Sequence, residues 1–262
     1  MIRDTDVTRA ILDHYHRRLA GALESDVLVA GAGPSGLVAA TLLAEKGLNV
    51  SVCEKRLAPG GGVWAGGMFM NAVVLQPEAK EILERLGVPA EQTPAGLLAA
   101  DAVRLASALT LRALEAGALI LNALAVEDLL IDGERVRGLV LNRPSVEAAR
   151  LPVDPLTFRA RAVLDATGHE AALVNDLVRL RRPLFTETGG MAGEGPMNAE
   201  TAETFVVEKT GEIFPGLYVS GMAVQATHGG PRMGPIFGGM LLSGQKAARL
   251  IAEDLDKRRD AS

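Results

Sequence analysis

Apolar residues in this chain fall into short runs and helical stripes that alternate along its length. Val7, Ile11, Tyr15 and Leu19 recur at intervals of four, behind Thr5 or Asp6 as a cap, and predict an amphipathic first helix. Residues 26–30 form a short apolar run of the kind that makes a buried parallel strand. An apolar helix over 37–46, stopped by Gly47, and a second strand over 49–53 complete a βαβ unit. Residues 60–67 are a glycine-rich loop. Helices are predicted over 77–86 and 100–116, and strands over 119–131 and 136–142, with Asp132-Gly133 as a hairpin turn. A further buried strand covers 160–166. Residues 181–198, rich in Gly and Pro and without a period, read as a loop. A strand over 217–219, a second glycine-rich tract and a helix from about 235 to 255 close the chain. No repeat or linker divides it, so a single domain over 1–262 is expected.

Composition sharpens this α/β picture. Apolar residues make up 48% of the chain and aromatics only 3%, with 29 glycines, which suits a core of Ala, Val and Leu with close backbone approaches. The net charge of −5, without a basic run, excludes a nucleic-acid partner. Cys53 is the one cysteine, so neither an intramolecular disulfide nor a cysteine-based zinc site is available. Charged residues stand in MIRDTD where a signal peptide needs an apolar run, and no stretch is long and apolar enough to span a membrane. A cytoplasmic protein is the expectation.

Candidate chemistry begins with Gly31, Gly33 and Gly36, which form G-x-G-x-x-G between a strand and a helix. The first permits a tight turn, the second lets backbone approach a pyrophosphate and the third lets helix pack on strand. Glu54 ends the next strand about 20 residues on, where an acid binds a ribose 2′-hydroxyl and disfavours a 2′-phosphate. NAD or FAD is therefore expected over NADP. Cys53 reads as a small core residue rather than a nucleophile, and His14 and His16 as surface or interface residues. In the C-terminal glycine-rich tract, Arg232 either holds a carboxylate or pairs with a local acid, and spacing does not separate the two. His228 reads as loop packing in preference to catalysis. Asp154 lies between Val153 and Pro155, and His169 follows Gly168 just past a strand, where ligands of open α/β sheets bind. Such a pair suits an Fe(II)-type metal. On spacing alone, a His–Asp hydrogen bond in a loop, or no contact, is the preferred reading, since neither residue belongs to a tight ligand motif.

The segments DVLVAGAGPSGL, VCEKRLAPGGGVWAGGMFMN, VDPLTFRARAVLDATGH and YVSGMAVQATHGGPRMGPIFGGMLLSG carry a resemblance that runs from about Asp4 to Leu255. The chain resembles the thiamine thiazole synthase family. The resemblance implies an α/β, two-glycine-motif FAD/NAD-binding Rossmann-like fold, with a central parallel sheet, an added antiparallel β-sheet, and assembly as a homo-octamer. It implies NAD as a substrate: nicotinamide leaves, and the ADP-ribose portion condenses with glycine and sulfur to an adenylated thiazole carboxylate. Carried over by residue, Ser35, Glu54, Lys55, Gly62, Val126 and Met222 line the nucleotide, together with Pro152, Val153 and Asp154. Asp154, from a neighbouring subunit, and His169 ligate Fe(II), and Arg232 holds the glycine carboxylate. The resemblance thus reverses the preference that spacing alone gives for the Asp154/His169 pair.

Eukaryotic members carry a sulfur-donating cysteine two residues before the metal-binding Asp, and archaeal sulfide-using members commonly a histidine. Pro152 stands there in this chain, which implies free sulfide and repeated turnover. Three other readings are a flavin-dependent oxidoreductase of the same fold, a sugar-phosphate isomerase and a non-catalytic NAD-binding protein. Met222, where flavoenzymes commonly have an acid, counts against the first, and no phosphate site is found for the second.

Overall fold

Alternate residues of the first predicted strand face opposite layers: Val27 and Val29 enter one core, and Leu28 and Ala30 the other. A strand buried on both faces belongs inside a sheet covered on both sides. The computed structural model, which describes residues 1–260, has it there. Helix α1 (Asp4–Ala22) leads into β1 (Glu24–Ala30), α2 (Pro34–Glu45) and β2 (Val50–Glu54). After two short 3-10 turns come β3 (Ala72–Leu75), α3 (Lys80–Arg85), β4 (Ala90–Gln92), β5 (Leu98–Asp101) and α4 (Ala102–Glu115). Then follow β6 (Leu119–Asn122), β7 (Ala125–Asp132), β8 (Arg135–Asn142), α5 (Pro144–Ala149) and β9 (Leu156–Asp165). The chain continues through α6 (Ala172–Arg179), α7 (Ala199–Lys209), β10 (Gly211–Phe214), β11 (Leu217–Val219), α8 (Met222–His228) and α9 (Gly238–Asp260).

The main sheet has the order β10-β11-β9-β1-β2-β6. Strands β6, β2, β1, β9 and β11 are parallel, and β10 adds an antiparallel edge. The first half of β9 pairs antiparallel with β8, and β8 with β7. Strands β3, β5 and β4 form the separate antiparallel sheet expected of this fold. Helices α2, α4 and α9 contribute to one core layer; α6, α7 and α8 contribute to the other.

Several boundaries differ from the sequence reading. The apolar run 119–131 is two strands, because the chain turns at Ala123 (φ 54°). There the Ala123 and Leu124 N–H groups donate to the carbonyls of Arg56 and Glu54. The helix expected from residue 100 starts at Ala102, since Asp101 ends β5 and caps α4 by accepting from the Arg104 N–H at 2.6 Å. The strand expected from residue 160 starts at Leu156, and the last helix starts at Gly238. Helices α5 to α8 and strands β3, β4, β5 and β10 are outside the sequence reading. The predicted stripe of α1 reaches a core only at its C-terminal end: Val7 and Ile11 are exposed, Leu19 is partly buried against one core layer, and Ala22 is buried.

The start of α9 rests on a buried acid of α7. The Gly239 N–H donates to Glu203 Oε2 at 2.6 Å, while Glu203 Oε1 is buried with no hydrogen-bond partner among the described residues. Burial pushes this carboxyl up to about 7; the Gly239 N–H pulls it down and Glu78 raises it. A carboxyl raised in the folded state binds its proton more tightly there than in the unfolded chain. Its stabilising contribution is complete below the ordinary value near 4.5 and is lost as pH rises through about 7. Glu203→Gln, whose amide oxygen still accepts from Gly239, should raise the melting temperature at pH 8 by a few degrees (about 2–4 °C per kcal/mol). At pH 5 it should change it little. Thermal melts of both proteins across this range check the difference.

Candidate active site

The strand order reverses beside β1: the chain proceeds outward through β2 to β6, then returns to the other side of β1 as β9. In open α/β sheets a crevice forms beyond the carboxyl ends of strands at such a point. Here the Ala166 N–H donates to the Ala30 carbonyl at 2.8 Å, which brings the loop after β9 against the loop after β1. Gly31 has φ +98°, and a side chain on it would run into the Ala166 carbonyl. A side chain on Gly36 would run into the Gly31 carbonyl and press on Val29. Gly33 differs: the nearest atom to a side chain there is the Ala166 oxygen at 4.0 Å. The first and third glycines are thus required by packing, and the second faces open space at the N-terminus of α2. Free N–H groups of that helix end are available to an anion.

The open space is a cleft of about 900 Å³, within the size range of cofactor sites. Gly31, Gly33, Ser35, Glu54, Lys55, Gly62, Val126 and Met222 line it, as do His169 and Arg232, so most of the sequence-derived site residues share one cavity. Gly36 lies behind the turn and supports it. Glu54 is buried, with Oε2 accepting from the Ala32 N–H at 2.9 Å and Oε1 from the Arg56 N–H at 2.8 Å. A carboxylate has about four lone-pair positions, so this one fixes two loops and keeps acceptor capacity for a hydroxyl. Lys55 Nζ lies 2.6 Å from Glu170 and joins the loops after β2 and β9. Both side chains are exposed, so the pair adds little stability. Ser35 sits under Gly221, where a side chain would fall 2.5 Å from Ser35 Oγ, so α8 begins against the first turn of α2.

Sequence reasoning missed Asp165, the last residue of β9. It is fully buried, and burial raises its pKa against the hydrogen bonds that lower it. Oδ1 accepts from the Thr167 N–H (3.0 Å) and hydroxyl (2.7 Å), and Oδ2 from the N–H groups of Leu173 (3.0 Å) and Val174 (3.2 Å). One carboxylate therefore ties the end of β9 to the first turn of α6, and the 3-10 turn Gly168–Glu170 between them carries His169.

His169 does not pair with Asp154. Its Nδ1 lies 2.6 Å from Glu194 Oε1, a partner outside the sequence reading. Asp154, with Pro152 and Val153, sits on an exposed stretch that contributes nothing to the cleft, and its carboxylate makes no hydrogen bond or ion pair among the described residues. Arg232 is exposed at the cleft and forms no ion pair among the described residues, so pairing with a local acid does not occupy it. Cys53 is buried, and burial pushes its thiol up to about 12, which leaves negligible thiolate near neutral pH. His228, at the end of α8, is outside the cleft; its Nε2 is buried without a partner among the described residues, and burial lowers its pKa. Among the described residues, no three His, Cys, Asp or Glu side chains are grouped to hold a metal ion. No helix among them is long and apolar enough to cross a membrane.

The model of the Thi4 family matches residues 8–237. A thiamine thiazole synthase of Pyrococcus horikoshii is 49% identical, over 97% of this chain and 99% of the relative. Those of Thermotoga maritima and Methanothermobacter thermautotrophicus are 48% and 47% identical, over 97% and 96% of this chain and 99% and 98% of the relatives. The crystal structure of Thermovibrio ammonificans THI4 superposes with a TM-score of 0.93 at 43% identity, over 97% of this chain and 99% of that one. With the family match covering most of the chain and the likeness running from end to end, the chain belongs to the Thi4 family of thiamine thiazole synthases.

Proposed function

We propose that this thiazole synthase consumes NAD and joins its ADP-ribose portion to glycine and free sulfide, with Fe(II), releasing nicotinamide and an adenylated thiazole carboxylate. The observation that carries the reading is the cleft itself: an open helix N-terminus at Gly33 and an unpaired Arg232 in one cavity. The helix end takes the pyrophosphate. Glu54, already held by two backbone N–H groups, accepts from the ribose hydroxyls, and Ser35, Gly62, Val126 and Met222 enclose the nucleotide. Lys55 leaves Glu170 for the nucleotide at small cost, since their ion pair is solvent-exposed. Arg232 holds the glycine carboxylate through its two-pronged guanidinium and so orients the amine toward the sugar.

The residues present fit a metal in part. His169 offers one imidazole nitrogen at the cleft, and this chain's own Asp154 is elsewhere. Asp154 of a second copy completes the pair, with Pro152 and Val153 beside the nucleotide. This part of the reading is supported by the exposed apolar residues around Asp154, among them Leu151 (54% exposed) and Val153 (49%), and by the uncovered start of the α1 stripe. Two protein ligands leave positions open for substrate, and the ion, when bound, supplies a Lewis acid that polarises substrate groups. Assembly as a homo-octamer then becomes a condition of activity. Sulfur comes from outside the protein: Pro152 has no thiol, and the buried thiol of Cys53 is un-ionised. Free sulfide and Fe(II) suit a reducing cytoplasm.

Anaerobic incubation with NAD, glycine, Fe(II) and sulfide should give adenylated thiazole in molar excess over protein, followed by mass spectrometry, and none without sulfide. Intact NAD at the end of the incubation would contradict the proposal. The glycines give a second test. Gly33→Val should melt as the parent does and bind NAD at least about tenfold more weakly, a loss of about 1.4 kcal/mol. Gly36→Val, which forces a side chain into the Gly31 carbonyl, should destabilise the fold by about 1–3 kcal/mol or more.

A further inference from the structure

Glu194 is not among the residues assigned to the nucleotide, glycine or metal, yet it makes the one hydrogen bond of the His169 ring among the described residues. We propose that Glu194 is a positioning residue: it fixes the tautomer and ring orientation of His169 and leaves Nε2 as the nitrogen that faces a ligand. The proposal rests on the reading of His169 as a metal ligand.

The argument starts from what each atom can do. A carboxylate only accepts hydrogen bonds, so at 2.6 Å Nδ1 carries a proton, and in the neutral imidazole the lone pair is then on Nε2. An imidazole whose side chain is 63% exposed, on a 3-10 turn, otherwise samples both tautomers and several ring orientations. Glu194 is the better-held partner. Its side chain is only 17% exposed, and its segment is laced to the end of α8 and the chain that follows it. Ala192 N–H donates to the Thr227 carbonyl (3.1 Å), Gly193 to Ala226 (2.9 Å), Gly195 to Gly230 (2.8 Å) and Asn198 to Arg232 (3.0 Å). The same backbone bonds that place Glu194 thus run to the tract that carries Arg232. His169 is anchored from the other side, through the Asp165–Thr167 bonds at the end of β9. Two independent scaffolds meet at this one contact, and a carboxylate behind a ligating histidine is the usual means of fixing the ring and raising its basicity as a ligand.

The test separates this role from that of a passive ion pair and from direct metal ligation. In the metal-free protein, long-range ¹H–¹⁵N correlation spectra of ¹⁵N-histidine report which ring nitrogen carries the proton, with His169 assigned by loss of its signal in His169→Ala. The Nδ1–H form is expected in the parent and in Glu194→Gln, whose amide oxygen still accepts. Glu194→Ala should shift His169 toward the Nε2–H form that exposed imidazoles prefer. Co(II) titrations followed by visible absorption should show affinity about 10–100-fold lower in Glu194→Ala and a smaller loss in Glu194→Gln. An unchanged His169 tautomer in Glu194→Ala would overturn the proposal. So would a Co(II) loss in Glu194→Gln as large as in His169→Ala, since Glu194 would then itself be a ligand. If His169→Ala binds Co(II) like the parent, the metal reading fails, while the tautomer result still stands or falls by itself.

Discussion

The site depends on how closely the loops after β1 and β9 approach each other. At Gly31 no side chain fits beside the Ala166 carbonyl, and at Gly36 none fits beside the Gly31 carbonyl. Gly244 repeats the condition on the far side of α2, where a side chain would run into the Ser35 carbonyl from α9. Helix α2 is therefore held between the sheet and α9 by two contacts that only backbone allows, at Gly36 and at Gly244. That clamp leaves its N-terminus, at Gly33, as the open end. The cleft follows from the clamp: the strand order reverses there, and α2 and α6, which follow the two loops, contribute to different core layers.

Two acids at strand ends, Glu54 and Asp165, and a third in the loop before α7, Glu194, turn this gap into a shaped cavity, and they do so mainly through hydrogen bonds. Glu54 ties the loops after β1 and β2, Asp165 ties β9 to α6, and Glu194 holds the ring of His169. Asp165 bears the largest burden. Its carboxylate is wholly buried, and burial raises its pKa against four hydrogen bonds that stabilise the charge. Such a group is costly unless every bond is made, so it specifies the local geometry closely. The turn that carries His169 inherits that rigidity. Arg232, by contrast, has no ion pair among the described residues, and its charge faces the cleft.

What was legible in the sequence was what is local. The βαβ unit, the tight turn at Gly31, the packing of Gly36 on the strand and the place of Glu54 at the end of β2 each follow from spacing within about 25 residues, and the structure has them as read. The break at Ala123 was hidden, because an apolar run looks the same whether one strand or two, and the bonds that set the turn come from Glu54 and Arg56. Helices α6 to α8 are short and held by tertiary contacts, so their periods are weak signals. Glu194 could not have been found by spacing: 25 residues and a whole helix separate it from His169. The placement of Asp154 at a metal came from the resemblance alone. Within one chain the structure keeps it outside the cleft, which is why a second copy enters the account.

That dependence on a second copy is also the point most open to direct measurement. Asp154→Ala and His169→Ala proteins would each be inactive. Unfolded together and refolded as mixed assemblies, they should regain thiazole synthesis, because some cleft pairs an intact His169 from one copy with an intact Asp154 from another. Mixed assemblies that form and remain inactive would contradict a site built across two subunits.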